Sequence, residues 1–162
     1  MKTHVIAIAM MIVLALSPGV SASGKKDNKC SVTFHIETEA GNDSKMVFPQ
    51  LTNGKTHYFR RTSEFSLKDM VAFSPFPADI GEDYGVAFKL KGNIAARLSA
   101  ITNVNQGKWM LSQINGRIVG GVMIDKQVDD GVLVIWKGVT LADIALLDAE
   151  LPRIGAKDKK KK

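Results

Sequence analysis

Period-two alternation of apolar and polar residues is the feature that most narrows what this chain can fold into. Ser31–Glu37 puts Val32, Phe34 and Ile36 on one side and Thr33, His35 and Glu37 on the other. Tyr84–Lys91 repeats the pattern with Tyr84, Val86, Phe88 and Leu90. Successive side chains of a strand point to opposite faces, so both segments read as half-buried strands. Asn53-Gly54 and Asn115-Gly116 supply the positive φ that tight hairpin turns need. The first joins Lys45–Phe48 to Thr56–Arg61, with Pro49 confining the former to an edge or a short run. The second joins Lys108–Ile114 to Arg117–Ile124 and is the strongest hairpin signal in the chain. Gly41-Asn42-Asp43 and Asp129-Asp130-Gly131 mark turns, and the continuously apolar Val132–Trp136 reads as a central strand.

Helical spacing occurs twice. Asn93 opens a helix reaching to Asn105, with Ile94, Leu98 and Ile101 on one stripe, Ala95 beside it and Gly107 as the stop. Thr140 caps the other, with Asp143 at its third position, Ile144, Leu147 and Leu151 on its stripe, and Pro152 at its end. Ser66-Leu67-Lys68-Asp69 has the form of a capped helical turn. Phe73–Pro77 reads as a stiff apolar connector and Asp79–Asp83 as a polar turn, so the boundary between the two halves falls near Ala78–Asp83. With one apolar stripe each, both helices belong on one face of a mainly antiparallel sheet, an α+β architecture.

The 162 residues suit a single domain with extensions. Met1–His4 carries Lys2, Val5–Leu16 is an unbroken apolar run, and Ser17-Pro18-Gly19 ends it. This is the layout of a secretory signal peptide cleaved after Ala22, with Gly24 as the alternative site. Twelve residues of helix cover about 18 Å, short of a ~30 Å hydrocarbon core. The expected organisation is a signal peptide over 1–22, a linker over 23–30, a β-rich part over 31–83, an α+β part over 84–155, and a basic tail over 156–162. The mature chain is expected to be soluble, without a membrane span, and periplasmic or secreted.

The net charge of +6 resides at the ends. Without Lys2, the Lys25/Lys26/Asp27/Lys29 cluster and Lys157–Lys162, the body carries about −1. Tyr58, Phe59, Arg60 and Arg61 alternate between faces and do not converge, so nucleic acid is not an expected partner. A single cysteine, Cys30, excludes a disulfide framework and a Cys-rich zinc site. It is expected to be a partly buried thiol, the alternative being an intermolecular disulfide partner.

The segment Tyr84–Leu151 resembles the first periplasmic head subdomain of the SecD/SecDF protein-export subunits. The shared pattern begins with Val86 and Phe88 on an alternating strand and Gly92 entering a helix. Thr102, Asn105, Gly107 and Lys108 then close that helix. Asn115-Gly116-Arg117-Ile118 stands where the family has an Asp-Gly-x-Val hairpin, followed by Gly131, Ile135, Gly138 and the helix from Leu141. The family's membrane helices and intramembrane acid are missing here. Gly120-Gly121 occupies the stretch where the family commonly has a proline. The resemblance implies a ferredoxin-like α+β fold, an envelope setting and contact with peptide or protein, and it does not carry translocase activity. Residues up to Ala78 show no recognisable counterpart.

Catalytic constellations are weak by spacing. His35, His57 and Cys30, with Glu37 or Glu39, have no recognised metal-ligand spacing and read as polar-face histidines beside a thiol. Ser99, Ser112 and Thr102 lack a nucleophile-elbow context. Asp125, Asp129 and Asp130 lack the ligand alternation of a calcium loop. Trp109 reads as core, whereas Trp136 beside Lys137-Gly138 reaches toward the surface. Gly120-Gly121 inside a strand marks a bulge or a close backbone approach. The tail, with Lys159, Lys160, Lys161 and Lys162, is either a solubilising end or a weak tether to an anionic envelope surface.

The expectation is therefore an exported, non-enzymatic domain without a cofactor that contacts peptide, protein or an envelope component. Its candidate interaction residues are Gly120, Gly121, Trp136 and Lys159–Lys162. The alternatives are a metal-dependent enzyme built on His35, His57 and Glu37, and an envelope tether through the tail.

Overall fold

Alternation at the start of the body yields β1 (Val32–Thr38), which becomes the hub of the larger sheet. The computed structural model describes residues 29–40 and 45–156; the signal segment, the turn at Gly41-Asn42-Asp43 and the lysine tail lie outside them. One edge of β1 pairs with β7 (Trp109–Ile114), from Val32 opposite Ile114 to Ile36 opposite Met110. Two strands share the other edge. Thr33 and Phe34 pair with β4 (Phe65–Ser66), and Glu37 and Thr38 pair with β3 (Lys55–Arg60). β2 (Val47–Thr52) lies beyond β3, and β8 (Arg117–Met123) lies beyond β7. A second sheet holds β5 (Met70–Pro77), β6 (Tyr84–Leu90) and β9 (Val132–Val139), in the order β5-β6-β9.

Every ladder between these strands is antiparallel. With α1 (Gly92–Val104) and α2 (Leu141–Glu150), the architecture is the α+β class implied by the alternation. The strands divide between two sheets, however, and do not form one. β6 and β9 lie in the smaller sheet while β7 and β8 join β1 in the larger, so the two halves of the sequence are interleaved in space.

Several local expectations change. The stretch read as a stiff connector is β5, a strand containing Pro75 and Pro77. Proline is tolerated there because β5 is an edge, where a missing N–H breaks no ladder. The chain itself covers that edge, with Phe73 donating to the Pro152 carbonyl and accepting from the Ile154 amide. The N-cap of α1 is Lys91 without a side-chain cap, not Asn93. Cys30, the last residue of the expected linker, is a buried free thiol, in line with its reading as a partly buried one. The two Asn-Gly turns do form, with positive φ at Asn53, Gly54, Asn115 and Gly116.

One apolar core joins the two sheets and both helices. Val32, Phe34 and Ile36 of β1 meet Val86, Phe88 and Leu90 of β6, Leu133 and Ile135 of β9, Leu98 of α1, and Ile144 and Leu147 of α2. The Phe34 and Phe88 rings cross edge to face at 6.4 Å, a favoured geometry that ties the sheets together. On the opposite face of β1, Phe48 packs against Phe59 and His35, so the β2–β3 hairpin covers that side.

A polar clasp adds a second tie. Asp143, 6% exposed, accepts from the Thr140 amide and hydroxyl, completing a capping box at the start of α2. The same carboxylate accepts from Arg117 Nη2 at 2.6 Å and Asn115 Nδ2 at 3.1 Å, both at the β7–β8 turn. Asp143→Ala removes the cap and strands these donors, and it should destabilise the fold by about 2–4 kcal/mol, measured as a lower urea midpoint with an unchanged m-value.

Candidate functional site

The last strands of the two sheets, β8 and β9, each have a hydrogen-bonded neighbour on one side only, β7 and β6 respectively. Their other edges face one another. At one end the backbones touch: a Cβ built on Gly138 would lie 2.8 Å from the Val119 carbonyl oxygen. Gly138 also has φ +83°, so this approach needs glycine on both counts. Arg117 Nη1 donates to the Gly138 carbonyl at 2.8 Å, and the Gly138 amide donates to Asp83 Oδ2 at 2.6 Å, which fastens the junction.

Away from this junction no ladder joins the two strands, and a groove of about 440 Å³ opens between residues 119–126 and 132–137. Its floor is apolar and continuous with the core, formed by Phe34, Met110, Leu133 and Ile135, with Ser112 and Thr102 as polar interruptions. A β-bulge shapes the β8 wall. Ser112 pairs with Gly120 and Gln113 with Ile118, leaving Val119 as the additional residue. Bulges bend a strand and increase its twist, which here coincides with the parting of β8 from β9.

Gly120, Gly121 and Trp136 all line this groove. Crowding does not explain either glycine. A Cβ on Gly120 would meet nothing closer than Ser112 Oγ at 4.0 Å, and one on Gly121 would make ordinary contact with Leu111 at 3.5 Å. Their effect is to leave two adjacent positions of the β8 wall without side chains, beside Val119, Val122 and Met123. Trp136, 60% exposed, stands on the β9 wall with its ring edge-on to Phe76 at 6.0 Å. Val132–Trp136, read from sequence as a central strand, is thus part of a sheet edge. Its outward positions are apolar because they border the groove and the Phe76 ring. The four tail lysines lie outside the described residues.

The histidines occupy a different region and are not simple polar-face residues. His35 is buried between two polar partners. Its Nδ1 donates to the Arg60 carbonyl at 2.8 Å, which leaves Nε2 to accept from the Thr33 hydroxyl at 3.0 Å. Burial lowers its pKa from the ordinary 6.5, opposed by the Arg60 hydrogen bond. Glu37 bridges two strands, accepting from His57 Nδ1 at 2.6 Å and from the Trp109 amide at 2.8 Å. His57 and Glu37 therefore meet, while both nitrogens of His35 are engaged elsewhere. Among the described residues no three His, Cys, Asp or Glu side chains gather as a metal site would require. Asp129 binds Ser99 and Gln127, and Asp130 accepts from the Val132 amide, so both serve their own turn. Burial, with smaller contributions from the negative charges of Asp143 and Glu150, pushes the Cys30 thiol up to about 11.

The fold is similar to that of solved structures. One, described as a membrane component SecDF that enhances protein export, superposes with a TM-score of 0.54 at 14% identity, covering 76% of this chain and 64% of that one. A second, SecDF in a super-membrane-facing form, gives 0.53 at 16% identity, covering 76% and 19%. The fold is SecDF-like. The chain spans less than two thirds of the length of either structure. A match over 76% of 162 residues exceeds the 68 residues from Tyr84 to Leu151. Part of the first half therefore has a structural counterpart as well, contrary to the expectation from sequence. The reason is the interleaving: β7 and β8 need β1 as a neighbour to complete their sheet. No family profile matches the chain, and no curated protein matches it in sequence.

Two outcomes follow from the buried groups. An unfolded chain takes up a proton on His35 near pH 6.5, whereas the folded chain resists it to lower pH. Stability should therefore fall as pH drops below 6.5 and level off below the native pKa; His35→Gln should flatten that part of the stability–pH curve in urea titrations. Native Cys30 should resist iodoacetamide at pH 8 and react rapidly once the chain is unfolded, read by mass spectrometry.

Proposed function

We propose that this chain is an exported, non-enzymatic domain that contacts polypeptide in the periplasm through the groove between β8 and β9. The observation that carries this reading is a pair of strand edges without partners facing each other over an apolar floor. Such edges are templates for another chain, and a concave apolar site with few polar groups is where binding energy concentrates. Two further observations support the reading. The apolar run Val5–Leu16 with its basic start has the layout of an export signal, and the SecDF-like fold comes from a protein described as enhancing protein export. No helix among the described residues is long and apolar enough to cross a membrane, so the role proposed is contact, with no translocation step of its own.

The test is fluorescence anisotropy of a labelled, permanently unfolded polypeptide titrated with the processed protein. Saturable binding is expected, with no competition from the same polypeptide in its folded form. Absence of saturable binding, or equal competition by the folded form, rejects the proposal.

A further inference from the structure

The geometry points to a specific mode of capture: the groove takes an extended segment of about five residues as an added β-strand between β8 and β9, with apolar side chains at alternate positions. This deepens the reading of the groove as a polypeptide site and rests on it. The occupant's chemistry follows from the walls. Both are strand edges, whose backbone N–H and C=O groups are matched by another extended backbone and by little else. An α-helix has its backbone groups engaged internally and is about 10–12 Å across with side chains, so it meets neither requirement.

Direction and pattern are constrained as well. β8 starts at the Gly138 junction and β9 ends there, so the two strands run antiparallel. A strand inserted between them runs antiparallel to one and parallel to the other. Residues 120–124, past the contact of Val119 with Gly138, define a wall of about 16 Å at the usual rise per strand residue, hence the length of five. Alternate side chains of the occupant point to the floor of Phe34, Met110, Leu133 and Ile135, which belongs to the apolar core, and the others point to water. Gly120 leaves room on the β8 wall for a large inward side chain. Two lysines, Lys126 and Lys137, line the groove together with one carboxylate, Asp125, and neither lysine has an ion pair among the described residues. The outward positions of the occupant that fit best are therefore polar with an excess of carboxylates.

The test uses isotope-labelled processed protein and four synthetic peptides. The first alternates valine with threonine and glutamate; the second has the same composition reordered to helical spacing. The third and fourth are the alternating peptide N-methylated on one or the other set of alternate amides, each of which blocks pairing with one wall. Expected are chemical-shift changes and slowed amide exchange confined to β8 and β9 with the first peptide. At least tenfold weaker binding is expected of the other three. Gly120→Leu, at a position where a Cβ meets nothing closer than Ser112 Oγ at 4.0 Å, should weaken the first peptide at least tenfold while leaving the rest of the amide spectrum unchanged. Binding of either methylated peptide within twofold of the parent, or of the helically spaced peptide as tightly as the parent, overturns strand addition. If that happens while unfolded polypeptide still binds, the contact role stands without this mode; if unfolded polypeptide does not bind, both fall.

Discussion

The groove depends on one buried carboxylate. Asp143 caps α2, which follows β9 in the smaller sheet, and at the same time holds Arg117 and Asn115 from the β7–β8 turn of the larger sheet. Arg117 extends the contact by donating to the Gly138 carbonyl, where β8 and β9 touch. A charged acceptor with four donors and little water is strongly held in place, because each donor left unpaired would carry a desolvation cost. The clasp brings the two edges together at one end only. The same ties that assemble the core therefore set where the cleft begins.

What keeps the other end open is the shape of the larger sheet. β1 serves β4 and β7 over its first residues, then turns to β3 at Glu37. Glu37 stands at that fork and supplies an acceptor to the Trp109 amide where the β1–β7 ladder ends. The additional residue at Val119 then bends β8. An edge so shaped meets β9 at Gly138 and nowhere along a ladder. Chains usually blunt free edges; β5 is covered by the segment around Pro152 and Ile154, whereas β8 and β9 are left facing each other.

Legibility followed the range of the interactions. The Asn-Gly turns, the Thr140–Asp143 capping box and the alternation of β1 and β6 are local, and each was readable from a few neighbouring residues. The prolines of β5 speak against a strand unless its edge position is known. The position of β9 is not legible locally, because a continuous apolar run looks the same at a sheet centre as beside a groove. His35 alternates as a polar-face residue, yet the β2–β3 hairpin folds over that face and buries it. Gly120, Gly121 and Trp136 stand out by local oddity, a glycine pair in a strand and a tryptophan beside Lys137-Gly138. That they share one groove depends on pairings between distant segments.

By itself the sequence determined the strands, their two tight turns, the helix stripes and the α+β class, since each rests on backbone geometry and side-chain periodicity within one segment. Tertiary structure alone decided that the strands divide into two sheets, that β1 completes the sheet of the second half, and that β8 and β9 end side by side without pairing. Those outcomes turn on which distant edges meet when a common core is buried, and a one-dimensional pattern records the faces of strands but not their neighbours.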